Sequence, residues 1–153
     1  MKITDFLDAR RIIPDLKGKD KKAVLREMAD RLAALEPSLD ADKLYATLLE
    51  RETISSTAIG EGVAIPHGKI SGGRKVSGIF ARCTAGVNFE SLDGGPTHLF
   101  FVLLAPEDSA ADHLKALARI SRLLKDGSFR ARLMRGKTAE ELFDVIQEED
   151  RKF

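Results

Sequence analysis

LFFVLL, residues 99–104, is a run of six apolar residues without polar alternation, and Pro106 ends it. A strand of this composition is buried on both faces, so its sheet needs helices on both sides. The expected fold class is therefore α/β. We predict a single domain over residues 1–153, with a central, mostly buried, mixed β-sheet and helices on both faces.

Helical periodicity supplies those outer layers. Four helices are predicted, over residues 20–35, from residue 40 to about residue 52, over residues 109–125 and from residue 138 onward. Ser109 with Asp112, and Thr138 with Glu141, have the spacing of capping boxes, although Asp112 stands where Glu is usual. Arg51 falls at the C-terminal end of the second helix, beside the loop that follows.

The other strands and turns are shorter. We expect a lead-in turn and one strand within residues 3–16, a short buried strand at residues 63–65 and a further strand at residues 75–83. Turns are predicted at residues 71–73 and 93–96. Residues 130–137 contain four basic side chains, which we interpret as a solvated surface.

The chemistry concentrates in ETISSTAIGEGVAIPHGK, residues 52–69, which holds hydroxyls, glycines and one histidine. Pro66 lacks a backbone donor and is expected to end the preceding strand, so His67 is expected just past a strand end. Functional sites of α/β sheets gather at such ends. Gly68 has no Cβ, which lets another backbone, a side chain or a phosphoryl group approach the imidazole.

An imidazole in this position can act as a base, a metal ligand or a phosphoryl-accepting nucleophile. The Arg51 guanidinium suits phosphate oxygens, and hydroxyl donors lie one short loop away, at Ser55, Ser56 and Thr57. This combination suits a dianion better than a metal. The alternative is a hydrogen-bonded core histidine with no chemical role.

The same residues carry a family resemblance. Glu52, IG at residues 59–60 and VAIPHG at residues 63–68 fill every specified position of a known signature. It is the signature of the type-2 enzyme IIA domains of the bacterial phosphoenolpyruvate-dependent phosphotransferase system, the mannitol, fructose and nitrogen-regulatory class. LLAP at residues 103–106 and HL at residues 113–114 continue the resemblance along nearly the whole chain. The sequence around the histidine, STAIGEGVAIPHGK, is most similar to that of the nitrogen-regulatory branch.

The resemblance implies a set of roles and partners. His67 would be the phosphoryl acceptor, with Arg51 and His113 holding the transferred group. The expected donor is an HPr-like phosphocarrier protein, and an enzyme IIB or regulatory target proteins are possible onward partners. No cofactor or metal is expected. The residues themselves add a phosphoryl-binding loop, composed of Ser55, Ser56, Thr57 and Gly68.

The two other histidines are expected to differ. His113 falls in the first turn of the third helix, on its apolar face, where the partial positive charge of the helix end disfavours imidazolium. We therefore expect a neutral hydrogen-bond donor. The pattern alone leaves a core histidine equally open, and the family spacing favours a role in the site. His98, at the start of the central strand, is expected to be structural.

Composition excludes several classes of partner. With 25 basic and 24 acidic residues the net charge is +1, so no overall field would attract nucleic acid or an acidic membrane. Cys83 is the single cysteine and cannot form an internal disulfide, and charged residues interrupt the start MKITDFLDARR. No stretch approaches the length of a membrane span. We expect a cytoplasmic protein without membrane insertion.

Three functional interpretations remain open from the sequence. The leading one is a phosphoryl carrier in the regulatory branch. The others are a sugar-specific enzyme IIA that passes the group to an enzyme IIB for fructose- or mannitol-type uptake, and a binding module that phosphorylation switches without onward transfer. A metal hydrolase is disfavoured, because the histidines and Cys83 do not have the spacing of known zinc sites.

Overall fold

A computed structural model of the chain describes residues 1–71 and 75–153, and a six-stranded mixed sheet lies at the centre of this part. The strands are β1 Ile12–Ile13, β2 Ala58–Gly60, β3 Val63–Ala64, β4 His67–Ile70, β5 Ser77–Val87 and β6 Thr97–Pro106. Their order is β1-β5-β6-β3-β2, and β4 also pairs with β6. β5 runs antiparallel to β6, whereas β3 and β4 run parallel to it.

β6 contains the LFFVLL run, and its side chains alternate between two apolar cores. The first core takes Phe100, Val102 and Leu104. The second core takes Leu99, Phe101 and Leu103. Since all six side chains are at most 2% exposed, the predicted strand buried on both faces is confirmed.

Five helices of the described residues cover these cores: α1 Lys21–Leu35, α2 Ala41–Ile54, α3 Ala110–Leu124, α4 Gly127–Arg135 and α5 Ala139–Asp150. α1 and α2 pack on the first core, and α3, α4 and α5 pack on the second. Two 3-10 turns, Ile3–Asp5 and Ala9–Arg11, precede β1. The predicted α/β class with helices on both faces is confirmed.

The strand at His67 differs from the prediction. Pro66 interrupts the strand without ending it, and His67 is the first residue of β4. β3 and β4 pair with β6 in one continuous register, since Ala64 lies opposite Phe100 and His67 opposite Leu103. Pro66 cannot donate a ladder hydrogen bond, but its carbonyl still accepts from the Leu103 amide at 2.9 Å, which keeps the two segments aligned.

Several boundaries and caps also differ. The strand predicted at residues 75–83 is observed as Ser77–Val87, and β2 and α4 were not predicted. Ser109 makes no side-chain cap, so its predicted capping box with Asp112 is wrong. Thr138 caps α5 by accepting from the Glu141 amide at 3.1 Å, while the Glu141 carboxylate accepts from the backbone of Lys137 instead of Thr138. Most of the turn predicted at residues 71–73 lies outside the described residues.

α4 accounts for most of the basic cluster. Residues 130–135 belong to this helix, which buries Phe129 and Leu133 in the second core. Its basic residues lie outside that core: Arg132 pairs with Glu148 at 2.7 Å, and the side chain of Arg130, which is 20% exposed, donates to the Leu124 carbonyl at 2.7 Å. The solvated surface is therefore one face of an amphipathic helix, whose short length hid its periodicity.

Candidate functional site

His67 lies half-buried at the start of β4, and one ring nitrogen has a fixed partner. Its Nδ1 is 2.8 Å from the backbone carbonyl oxygen of Ile65. A carbonyl only accepts hydrogen bonds, so Nδ1 must carry the ring proton. In the neutral imidazole Nε2 then holds the free lone pair, and Nε2 is the nucleophilic atom.

His113 meets His67 from the first turn of α3. The two ring centroids are 5.7 Å apart and the rings are nearly perpendicular, at 78°. His113 is 6% exposed, and its Nε2 has no hydrogen-bond partner within the part of the chain that the structure describes. Burial lowers the pKa of His113, and electrostatic interaction with the neighbouring His67 and Lys69 side chains lowers it further. His113 therefore lines the site as a largely buried imidazole for which the neutral form is favoured.

Arg51 and His67 line the same pocket, which has a volume of about 500 Å³ between the end of α2 and the start of α3. The Arg51 Nη1 donates to the Ser55 carbonyl at 3.0 Å, an exposed contact that leaves four other N–H donors of the guanidinium available. His113 also lines this pocket. The structure thus brings together the three residues predicted to be catalytic.

The predicted loop hydroxyls point to other partners. The Ser56 hydroxyl donates to the Phe89 carbonyl at 2.7 Å and accepts from the Ala58 amide at 3.1 Å. The Thr57 hydroxyl donates to the buried Glu52 carboxylate. Ser55 is exposed and lines neither pocket beside His67. In this conformation Ser56 and Thr57 therefore shape the loop, and their role as phosphoryl ligands stays a prediction.

Gly68 lies next to His67 and also lines the pocket. A Cβ built on Gly68 would lie 2.6 Å from Thr47 Cγ2 and 3.7 Å from Leu104 Cδ2. The packing of α2 on β4 therefore requires the bare backbone at this position. Of the groups that the sequence allowed to approach, the one observed is a side chain, that of Thr47. The predicted contact between Gly68 and a phosphoryl group is untested.

Lys69 is a site residue that the sequence reasoning missed. It lines the pocket and lies two positions after His67 in β4, so strand alternation places both side chains on one face. The lysine also contributes to the lowered pKa of His113. The two-residue spacing of His67 and Lys69 was visible in the sequence. It places the two side chains together only if a strand begins at His67, and the predicted strand ended before that residue.

Exposed apolar side chains surround the polar centre. Ile54 is 78% exposed, Leu114 69% and Ile59 57%. Ile54 and Leu114 line the pocket, and Ile59 lines a smaller neighbouring one that also includes His67. His98 is elsewhere: its Nδ1 contacts the Cys83 carbonyl at 3.1 Å, a structural hydrogen bond.

Two general features complete the site description. No three His, Cys, Asp or Glu side chains among residues 1–71 and 75–153 form a group that could hold a metal ion. None of the helices described has both the length and the apolar composition that crossing a membrane requires.

Comparison with protein families decides the relationship of the chain. Residues 5–149 match the family described as "Phosphoenolpyruvate-dependent sugar phosphotransferase system, EIIA 2". The chain belongs to this family. The predicted resemblance to type-2 IIA domains is therefore confirmed, and His67, His113 and Arg51 occupy one pocket of such a domain.

Individual relatives identify the branch. The domain is 44% identical over 146 residues to a nitrogen regulatory protein of Bradyrhizobium diazoefficiens, covering 95% of each chain. It is 37% identical over 151 residues to the fructose-specific EIIABC component of Bacillus subtilis, but covers only 24% of that protein. The crystal structure of the nitrogen regulatory protein IIA-Ntr of Neisseria meningitidis superposes with a TM-score of 0.88 at 34% identity, over 94% of this chain and 98% of that one. The prediction of a phosphoryl carrier in the nitrogen-regulatory branch is confirmed.

Proposed function

We propose that this IIA domain accepts a phosphoryl group on Nε2 of His67 from the phosphohistidine of an HPr-like carrier protein. The observation that carries the proposal is the contact of His67 Nδ1 with the Ile65 carbonyl, because it leaves the Nε2 lone pair as the nucleophile. The neighbouring His113 imidazole and Arg51 guanidinium line the same pocket and are suited to receive the oxygens of the incoming group.

The transfer requires little covalent chemistry from the protein. The lone pair of His67 Nε2 forms the new N–P bond while the N–P bond of the donor breaks, and its electron pair returns to the donor imidazole. Catalysis then comes from alignment and from charge stabilisation at the equatorial oxygens. A neutral His113 can donate one ring N–H without the cost of burying an unpaired charge. Arg51 supplies permanent positive charge at the pocket wall.

The surroundings of His67 favour a protein donor over a small molecule. Ile54, Ile59 and Leu114 present exposed apolar side chains around the histidine, and such side chains are costly to leave in water unless a partner covers them. These side chains form an apolar ring around the histidine and are suited to the apolar, water-excluding part of a protein interface. An HPr-like carrier seated on this ring would bring its phosphohistidine to His67.

The fate of the phosphoryl group separates the branches. Similarity to free-standing nitrogen regulatory proteins along 95% of the chain favours a regulatory role in the cytoplasm, in which the phosphorylation state of His67 changes binding to target proteins. The similarity to part of a fructose-specific EIIABC component supports the alternative, transfer to an enzyme IIB.

A labelling experiment tests the acceptor. The domain is incubated with labelled phosphoenolpyruvate and the host's enzyme I and HPr-like proteins, and the label is located by mass spectrometry. We expect label on His67 that is acid-labile and base-stable, and none on His67→Ala. His98→Ala is the matched control, because His98 Nδ1 also contacts a backbone carbonyl but lies outside the pocket. Label retained by His67→Ala would overturn the proposal.

A second arm of the experiment tests onward transfer. Each candidate enzyme IIB is added to the purified phosphorylated domain, and loss of label from His67 is followed over time. A regulatory domain is expected to keep its label in the presence of every enzyme IIB. Rapid transfer to one of them would replace the regulatory assignment with the sugar-specific one.

A further inference from the structure

Glu52 is a buried carboxylate that contacts three donor groups. Its side chain is 2% exposed, in the last turn of α2. Oε1 accepts from the Thr57 amide at 3.1 Å and pairs with Lys21 Nζ at 3.0 Å, and Oε2 accepts from the Thr57 hydroxyl. Lys21 is itself held over the Phe89 ring, 4.8 Å from its centroid. A buried charge of this kind is retained only where its hydrogen bonds are satisfied.

These contacts continue from Glu52 to His67 through the backbone. The carboxylate fixes both the amide and the hydroxyl of Thr57. The Thr57 carbonyl accepts from the Ile65 amide at 3.2 Å. The Ile65 carbonyl in turn accepts from His67 Nδ1 at 2.8 Å. Three successive hydrogen-bonded contacts thus connect the acid on α2 with the imidazole on β4.

We propose that Glu52 is a positioning residue for phosphoryl transfer, which sets the tautomer and orientation of His67 by anchoring Thr57 and, through it, the Ile65 carbonyl. The inference rests on the proposed function of His67. Without the anchor the Thr57 segment can move relative to β3, and the Ile65 carbonyl loses its fixed place beside Nδ1. The proton can then occupy Nε2, which removes the nucleophilic lone pair from the pocket.

Lys21 adds a third contact to the anchor. Its Nζ lies 3.0 Å from Glu52 Oε1, the same oxygen that accepts from the Thr57 amide, while Oε2 accepts from the Thr57 hydroxyl. α1, α2 and the segment before β2 therefore meet at one acid. This role differs from that of Arg51, the preceding residue, which lines the pocket while the Glu52 side chain does not.

The tautomer of His67 tests the proposal directly. Long-range proton–nitrogen correlation spectra of the unphosphorylated protein distinguish protonation at Nδ1 from protonation at Nε2. In Glu52→Ala we expect the ratio of the Nδ1–H to the Nε2–H tautomer to fall about fivefold, which corresponds to the net free energy of one hydrogen bond. The rate of phosphoryl acceptance should fall by the same factor. Glu52→Gln keeps an oxygen for the Thr57 amide and should recover most of the ratio.

Glu36 provides the matched control. It also lies at a helix end and accepts from a cation and a hydroxyl, Arg11 at 2.8 Å and Ser77 at 3.0 Å, but it contacts neither Thr57 nor Ile65. Glu36→Ala should lower stability and leave the His67 tautomer unchanged. If Glu52→Ala fails to fold, Thr57→Val removes the hydroxyl donor at constant shape, and a smaller shift in the same direction is expected.

Several results would overturn the proposal. One is a wild-type tautomer ratio of His67 in folded Glu52→Ala or in Thr57→Val. The others are a change of this ratio in Glu36→Ala as large as that in Glu52→Ala, and a fall of the ratio in Glu52→Gln as large as that in Glu52→Ala. The spectra are recorded without phosphoryl donor, so they decide the role of Glu52 even if the labelling experiment rejects His67 as the acceptor.

Discussion

Gly68→Ala separates two roles for the residue beside the phosphoryl acceptor. The added Cβ would lie 2.6 Å from Thr47 Cγ2, closer than any ordinary carbon contact, and the clash falls between α2 and β4. Gly68 does not have a positive φ, so the cost is steric and not one of backbone strain. Overpacking of this size destabilises by about 1–3 kcal/mol, and we expect the free energy of unfolding to fall by that amount.

Thr47→Ser provides the compensating change, because it deletes the Cγ2 methyl that the new Cβ would meet. In chemical denaturation, the double variant Gly68→Ala/Thr47→Ser should regain most of the lost stability, giving a favourable coupling energy of about 1 kcal/mol or more. Gly127→Ala is the control: its Cβ would meet only Arg130 Nη2, at 3.5 Å, an ordinary contact, so no loss is expected.

The rate of phosphoryl acceptance in the same double variant distinguishes packing from phosphoryl binding. If Gly68 serves packing alone, stability and rate return together. If the phosphoryl group needs the bare backbone, stability returns and the rate does not. The packing argument would be refuted by a Gly68→Ala protein as stable as wild type, or by a double variant no more stable than Gly68→Ala.

Three other predictions concern the remaining site residues. Arg51→Ala should slow phosphoryl acceptance about 100-fold, as loss of one preorganised donor does, and should change stability by less than about 0.5 kcal/mol because its one contact is exposed. Phosphorylation of His67 should raise the pKa of His113 more than that of His98, because the ring centroids of His67 and His113 are only 5.7 Å apart and the new dianion favours the protonated form of its neighbour. NMR titration of the phosphorylated and unphosphorylated protein measures both shifts, and equal shifts would contradict the prediction. Burial lowers the pKa of His113, so unphosphorylated protein should lose stability as pH falls below about 6.5, and His113→Gln should flatten that loss in denaturation curves.

The parts of the fold that follow from composition could be predicted. LFFVLL determined the central strand, because six apolar side chains in succession leave no face for water. The pairing of His67 with His113 was also accessible, since a family signature supplied the long-range contact that periodicity does not contain. Chain spacing alone cannot place residues that are 46 positions apart in one pocket, and here the resemblance carried the prediction.

The fine structure of the loop could not be predicted. Ser56 and Thr57 have hydroxyls suited to phosphate, but their partners, Phe89 and Glu52, are set by how the loop packs on α2 and on the segment before β6. A hydroxyl serves a backbone carbonyl, a carboxylate or a phosphoryl oxygen equally well, so residue type does not choose among them. Gly68 is similar: the absence of a Cβ permits a close approach, and only the fold shows that Thr47 makes it.

The segment between β3 and β4 connects the fold with the chemistry. The backbone of residue 66 faces β6, but Pro66 has no N–H to donate to that ladder. The register nevertheless resumes at once, with the Pro66 carbonyl accepting from a β6 amide at 2.9 Å and His67 paired with β6. The Ile65 backbone faces the other way: its amide donates to the Thr57 carbonyl at 3.2 Å, and its carbonyl accepts from the His67 ring at 2.8 Å. Ile65 thus orients the imidazole, while the register that continues on either side of Pro66 holds it beside His113 on α3.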